Sequence, residues 1–156
     1  MAVHKIDGVN GVVNYPKKFV TLWADGAITK GDVVCFSSST TYGIGLSVTI
    51  TDGSVAIADD SQRAVGIAVE TVTTGKPVKV QVAGYNNMST AAANIDIWDP
   101  VGHDTGVDGR IQTIGGTADG TVAFTTKVKP IGICIDAFTS GNADGAIMIY
   151  DHGMFG

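Results

Sequence analysis

Leucine and glutamate are nearly missing from this 156-residue sequence: leucine stands only at Leu22 and Leu46, and glutamate only at Glu70. Both are good helix formers, so their scarcity argues against a helical fold. Cysteine is also scarce. Cys35 and Cys134 are too few for a disulfide scaffold and each lies in an apolar run, so they read as buried, reduced thiols of a protein assembled in a reducing compartment. Basic charge is short as well, with ten Lys and Arg against fifteen Asp and Glu and a net charge of −5. The basic residues are scattered, Lys17-Lys18 being the one adjacent pair, which excludes a nucleic-acid partner that needs a concentrated cationic surface. No apolar run approaches a membrane-spanning helix, and residues 1–18 mix Asp7, Asn10, Asn14 and three lysines among their valines, unlike a signal peptide. No membrane partner is expected.

What remains is strand material. Val, Ile and Thr make up about a third of the chain, and 21 glycines, with Asn and Asp beside them, supply turn positions. The expectation is an all-β protein, a compact β-sandwich or β-barrel. Residues 1–18 form an extended N-terminal arm, broken by Gly8, Gly11 and Pro16, and residues 19–156 form the β domain. Strands are expected at 19–24, 31–36, 46–50, 54–58, 64–70, 77–83, 95–98, 110–114, 121–127, 130–138 and 146–150. A helical turn is expected only within 88–94, where Ser89 could cap the three alanines after Thr90.

An internal repeat organises these strands. Residues 63–75 (RAVGIAVETVTTG) align without a gap with 129–141 (KPIGICIDAFTSG), taking Gly66 to Gly132. Upstream, 28–34 (ITKGDVV) faces 95–101 (IDIWDPV); downstream, 78–84 (VKVQVAG) resembles 147–153 (IMIYDHG) after a short insertion. Three segments in one order at nearly one offset indicate duplication, with copies at about 24–86 and 91–154. Each aligned segment should turn into a hairpin at Thr-Thr-Gly75 or Thr-Ser-Gly141. Val65, Ile67 and Val69 should share one strand face, and Gly66, Ala68 and Glu70 the other, a face small enough that something packs closely on it.

The order Ala27-Ile-Thr-Lys-Gly-Asp-Val-Val34, Ala64-Val-Gly-Ile-Ala-Val69, then Thr74-Gly-Lys-Pro-Val-Lys-Val-Gln-Val-Ala-Gly84 resembles the capsid cement, or decoration, proteins of tailed bacteriophages. The resemblance spans about residues 24–150 and departs from the family in Lys76, where an acid is usual, and in the polar insert 37–60. It implies a virion protein that binds the outer face of the major capsid (coat) protein shell and cements it, self-associated as a homotrimer and assembled in the host cytoplasm. It implies no catalytic residue and no cofactor. A β module of a phage tail or cell surface that binds a receptor or glycan is the alternative, since such modules also carry long polar loops.

Enzyme chemistry finds little support in the sequence. Asp104-Thr105-Gly106 matches the aspartic-protease signature, but Gly102 and His103 precede it instead of an apolar strand, and the first copy holds no matching acid. Ala83-Gly84-Tyr85-Asn86-Asn87 departs after two residues from the uracil-reading hairpin of trimeric nucleotide hydrolases, and Gly75-Lys76 is followed by Pro77, so no phosphate loop forms. His103 with Asp99, Asp104 and Asp108 lacks calcium-loop spacing, so no metal is assigned. Trp23 and Trp98, at strand-like positions, are expected to pack in the core. Contact with the coat is assigned to the arm and its edge: Lys5, Val9, Val12, Val13, Tyr15, Lys17, Lys18 and Phe19, apolar residues with locally basic charge.

Overall fold

A computed structural model of the chain describes residues 16–38, 41–43, 45–51, 64–104, 106–114 and 130–151. The strands expected at 54–58 and 121–127, and the arm as far as residue 15, lie outside the described residues. Among the described residues the fold is all-β.

The first unit comprises β1 (Lys18–Ala24), β2 (Val33–Phe36), β3 (Ser47–Ile50), β4 (Ala64–Ala68) and the first part of β5 (Pro77–Asn86). Their order is β1-β3-β2-β4-β5, and β5 pairs back onto β1, which closes a five-stranded barrel without an edge. Among the described residues of this unit, only β1 and β3 run parallel. Alternation in β1 explains its place: Leu22 and Ala24 turn into the barrel while Phe19, Thr21 and Trp23 face outward. Leu22 and Ala24 meet Val34, Val48, Val65, Ala68, Val78, Val80 and Val82 in one core.

The second unit continues the same sheet through β9 (Ala146–Ile149), β8 (Gly132–Asp136), β6 (Pro100–His103) and β7 (Ile111–Thr113). The strand β5 serves both units: its first part pairs with β1 and β4, and Gly84–Asn86 pair with β9. At the passage Gly84 has φ 89°, and a Cβ there would run into the Pro16 carbonyl. The buried Gln81 amide donates to the Ala83 and Tyr85 carbonyls at 3.1 and 2.9 Å and accepts from Asn86, tying the two halves of the strand together. Val33 and Ile67 of the first unit join Ile95, Val101, Ile111, Cys134 and Ile147 in the second core, so the two units share apolar packing.

The two units share a pattern of backbone bonds. Ile28 and Val72 exchange backbone hydrogen bonds, as do Ile95 and Phe138. The Thr29 amide donates to the Asp32 carboxylate at 2.7 Å, and the Asp96 amide to Asp99 at 3.2 Å. Gly75 and Gly141 both turn through positive φ, at 79° and 78°, and donate to Ala24 and Ala91. The parallel contact of Ala24 with Val48 recurs as a bridge between Ala91 and Ile111. The close packing expected at Gly66 and Gly132 comes from the adjacent strand: a Cβ on either would fall on the carbonyl of Gln81 or Met148.

Several expectations are corrected. Because Ala68 pairs with Val80 and Cys134 with Ile147, the position equivalent to Ile147 is Val80, two residues from the sequence alignment with Val78. Residues 88–94 are not helical, because the Asn86 side chain accepts from the Met88 and Ser89 amides and the Ser89 hydroxyl, holding the segment as a turn. Residues 95–98 form a turn and not a strand, and the strand lies just after them as β6. The expected sharing of a face by Val65 and Ile67 fails because β4 bulges: Val34 pairs with Gly66 but Cys35 with Ala64, so Val65 is the extra residue and enters the first core while Ile67 enters the second.

Candidate interaction surfaces

The turn before β6 carries the strongest departure from local economy. Trp98 has φ 77°, the one non-glycine residue with positive φ among those described, and is 71 % exposed. Its amide donates to the Cys134 carbonyl at 2.8 Å, as the Gly31 amide donates to Ala68 at 2.9 Å in the first unit. The turn geometry therefore asks for glycine, and the first copy has it: Gly31 sits at φ 96° with the Met88 carbonyl where a Cβ would be. In the second copy the largest side chain occupies that place and points to solvent beside exposed Ile97. This corrects the expectation of a core role for Trp98. The signal was in the aligned repeat, where Trp98 stands opposite Gly31.

Acidic groups surround this turn. Asp96 is exposed, and Asp99 accepts from the Asp96 amide and the Thr113 hydroxyl. Burial, reinforced by the charges of Asp99, Asp136 and Asp96, pushes the Cys134 thiol up to about 11.

A second apolar surface covers the outer side of β1. Trp23, 43 % exposed, stacks on Tyr42 with ring centroids 5.8 Å apart and 12° between planes. Leu46 beside it is 57 % exposed, and its carbonyl accepts from the Trp23 amide at 2.9 Å. Trp23 is thus an outward residue of a barrel strand, a second correction of the expected core packing. Phe19 lies two outward positions away beneath the Lys79 ammonium, 4.5 Å from its ring centroid, and at the far end of β1 the carbonyl of exposed Lys76 accepts from the Ala24 amide at 2.9 Å. Glu70 is nearby, its carboxylate accepting the Lys79 amide at 2.7 Å.

Of the residues assigned to contact from the sequence, Lys5, Val9, Val12, Val13 and Tyr15 lie outside the described residues. Lys17, Lys18 and Phe19 are placed together where the units meet. The Lys17 ammonium lies 5.5 Å from the Tyr85 ring centroid, and Lys18 pairs with Asp151 at 2.5 Å. Lys18, given to the arm from sequence, is the first residue of β1.

The other polar clusters are turn structures. The Asp104 carboxylate is buried and accepts from the Gly106 and Val107 amides at 3.0 and 2.5 Å, closing a loop. Burial lowers the His103 pKa, opposed by the charge of Asp104. Among the described residues no three His, Cys, Asp or Glu side chains gather at metal-binding range. An open cleft of about 560 Å³ between the units is lined by Thr29, Lys30, Asp32, Thr90, Asp108 and Arg110, where two cations face two carboxylates and no charge sign dominates. Both cysteines are buried, and the Cys134 thiol donates to the Asp136 carbonyl at 3.1 Å.

No family model matches the chain, and the search of curated proteins gave no match. Among solved structures, the N base of head fiber gp8.5 of bacteriophage phi29 aligns with a TM-score of 0.50, covering 87 % of this chain and 96 % of that one. The fold is similar to that of a phage head fiber base. At 15 % identity the likeness is one of fold. It agrees with the all-β class read from composition and with a barrel architecture.

Proposed function

We propose that this protein is a structural component of a tailed-phage virion, seated on the outside of the head and bound to its coat protein. The observation that carries this reading is the fold likeness to a head fiber base over nearly the full length of both chains. The resemblance of 27–34, 64–69 and 74–84 to capsid cement proteins supports the same location from sequence motifs. Bracing the shell follows if many copies each make modest contacts, because linked contacts add through effective concentration. The arm residues Lys5, Val9, Val12, Val13 and Tyr15, with Lys17, Lys18 and Phe19 at its base, are the proposed coat contacts.

The test is to add purified protein to heads that lack it and measure occupancy by cryo-electron microscopy and head stability by the temperature of DNA release. Full-length protein should decorate the outer surface and raise that temperature. A chain lacking residues 2–15 keeps β1 and the contacts of Pro16 to Phe19, and should fold but decorate sparsely. A glycan array forms the second arm, since an exposed indole such as Trp98 is also a platform for a sugar ring. Glycan binding without head binding would move the assignment to receptor recognition.

A further inference from the structure

We infer that the Ile97-Trp98 turn of one copy docks on the outer β1 face of a second copy, a head-to-tail contact between unlike surfaces. The contact concerns the protein's own assembly and stands whether or not it attaches to a phage head.

The fold does not explain Trp98. The equivalent turn in the first unit uses Gly31 at φ 96°, whereas here a tryptophan holds φ 77° with most of its surface in water. A bulky residue in that backbone region is strained, and exposure returns no packing for it. A docked partner removes the indole from water and supplies that packing.

The two surfaces are also complementary. Asp96 and Asp99 flank Ile97 and Trp98 in the turn, where the Asp96 amide donates to the Asp99 carboxylate at 3.2 Å, and the Trp98 amide donates to the carbonyl of Cys134, two residues before Asp136. The β1 face offers the stacked Trp23 and Tyr42 rings, exposed Leu46 and Phe19, with the Lys79 ammonium over Phe19, exposed Lys76 next in the chain to the Pro77 that pairs with Trp23, and one carboxylate, Glu70, at the Lys79 amide. An apolar tip flanked by carboxylates thus meets an aromatic platform flanked by two lysines and one carboxylate. In a chain of net charge −5, copies repel on average, and this pairing gives opposite charges a place to meet. Aromatic anchors seated at the centre of such contacts carry much of the binding energy. Because tip and platform belong to different units of one chain, the contact is heterologous, and repeated copies close into a ring, such as a trimer, or continue as a filament.

The test is sedimentation of the full chain without phage heads, using folded variants checked by circular dichroism. The wild-type protein should associate. Trp98→Ser and Trp23→Thr should each weaken association by about tenfold or more. An equal mixture of those two variants retains one intact tip and one intact platform, so it should form heterodimers and nothing larger. Asp96→Lys and Lys79→Glu should each weaken association, and the two together in one chain should restore it. A monomeric wild-type protein, undiminished association in either tryptophan variant, a mixture that stays monomeric, or a double charge variant that fails to recover would overturn the contact.

Discussion

Exchanging the residues at the duplicated turn should move stability in opposite directions in the two units. At Gly31 an added methyl group meets two penalties. The backbone at φ 96° disfavours any side chain, by about 1–2 kcal/mol. The Cβ also falls on the Met88 carbonyl, and such overpacking costs about 1–3 kcal/mol. Alanine restricts the unfolded chain and returns about 0.4–1 kcal/mol. Gly31→Ala should therefore destabilise by about 1–4.6 kcal/mol, which for a chain of this length lowers the melting temperature by roughly 2–18 °C. Trp98→Gly reverses the account. It relieves the backbone strain of about 1–2 kcal/mol and loses about 0.5–1 kcal/mol to the greater freedom of the unfolded chain, so the net is between neutral and about 1.5 kcal/mol stabilising. The assay is calorimetry on monomer, at concentrations where sedimentation shows single copies, because association through Trp98 would add stability of its own. A drop of more than about 3 °C for monomeric Trp98→Gly would refute the reasoning, since it would mean that the indole packs within its own chain.

Further outcomes are expected from the same structure. Gly66→Ala and Gly132→Ala should each destabilise by about 2–4 kcal/mol in urea melts, because each Cβ would part a strand pair at the Gln81 or Met148 carbonyl; a neutral result at both would contradict the close approach. Cys134, buried and with its thiol raised to about 11, should react with a thiol reagent only on unfolding, and rapid native labelling would disprove its burial. His103 has a folded pKa below the ordinary 6.5, so the unfolded chain binds its proton more readily: its contribution is intact above 6.5 and is lost as pH falls through 6.5 towards the folded value. His103→Gln should flatten that part of the pH–stability curve, and an unchanged slope would remove His103 as its source.

Most strands were legible because exposed and buried positions alternate along them, with Lys79 between buried Val78 and Val80 in the first half of β5 as an example. The repeat was legible because both copies need glycine at the same two places, one under a neighbouring carbonyl and one at a positive φ. Strand β6 was missed because Pro100 and Gly102 interrupt its apolar run; its counterpart Val33–Phe36 in the first copy marked it. The shift of two residues between Val78 and Val80 arose because apolar alternation in β5 matches itself at every second residue, so pattern alone does not fix register. The outward placement of Trp23 and Trp98 was hidden for a simpler reason. Hydrophobicity marks burial without saying against what, and an aromatic residue kept for a partner looks in sequence like one kept for the core.

The central claim, a place on the outside of a phage head, is tested most directly by a cryo-electron map of the virion that contains this chain. The account expects density for the paired β units on the outer surface of the capsid, with the chain's N-terminal end directed at the coat protein. Heads without that density, with the protein found instead at the tail tip or only in the soluble lysate, would contradict it.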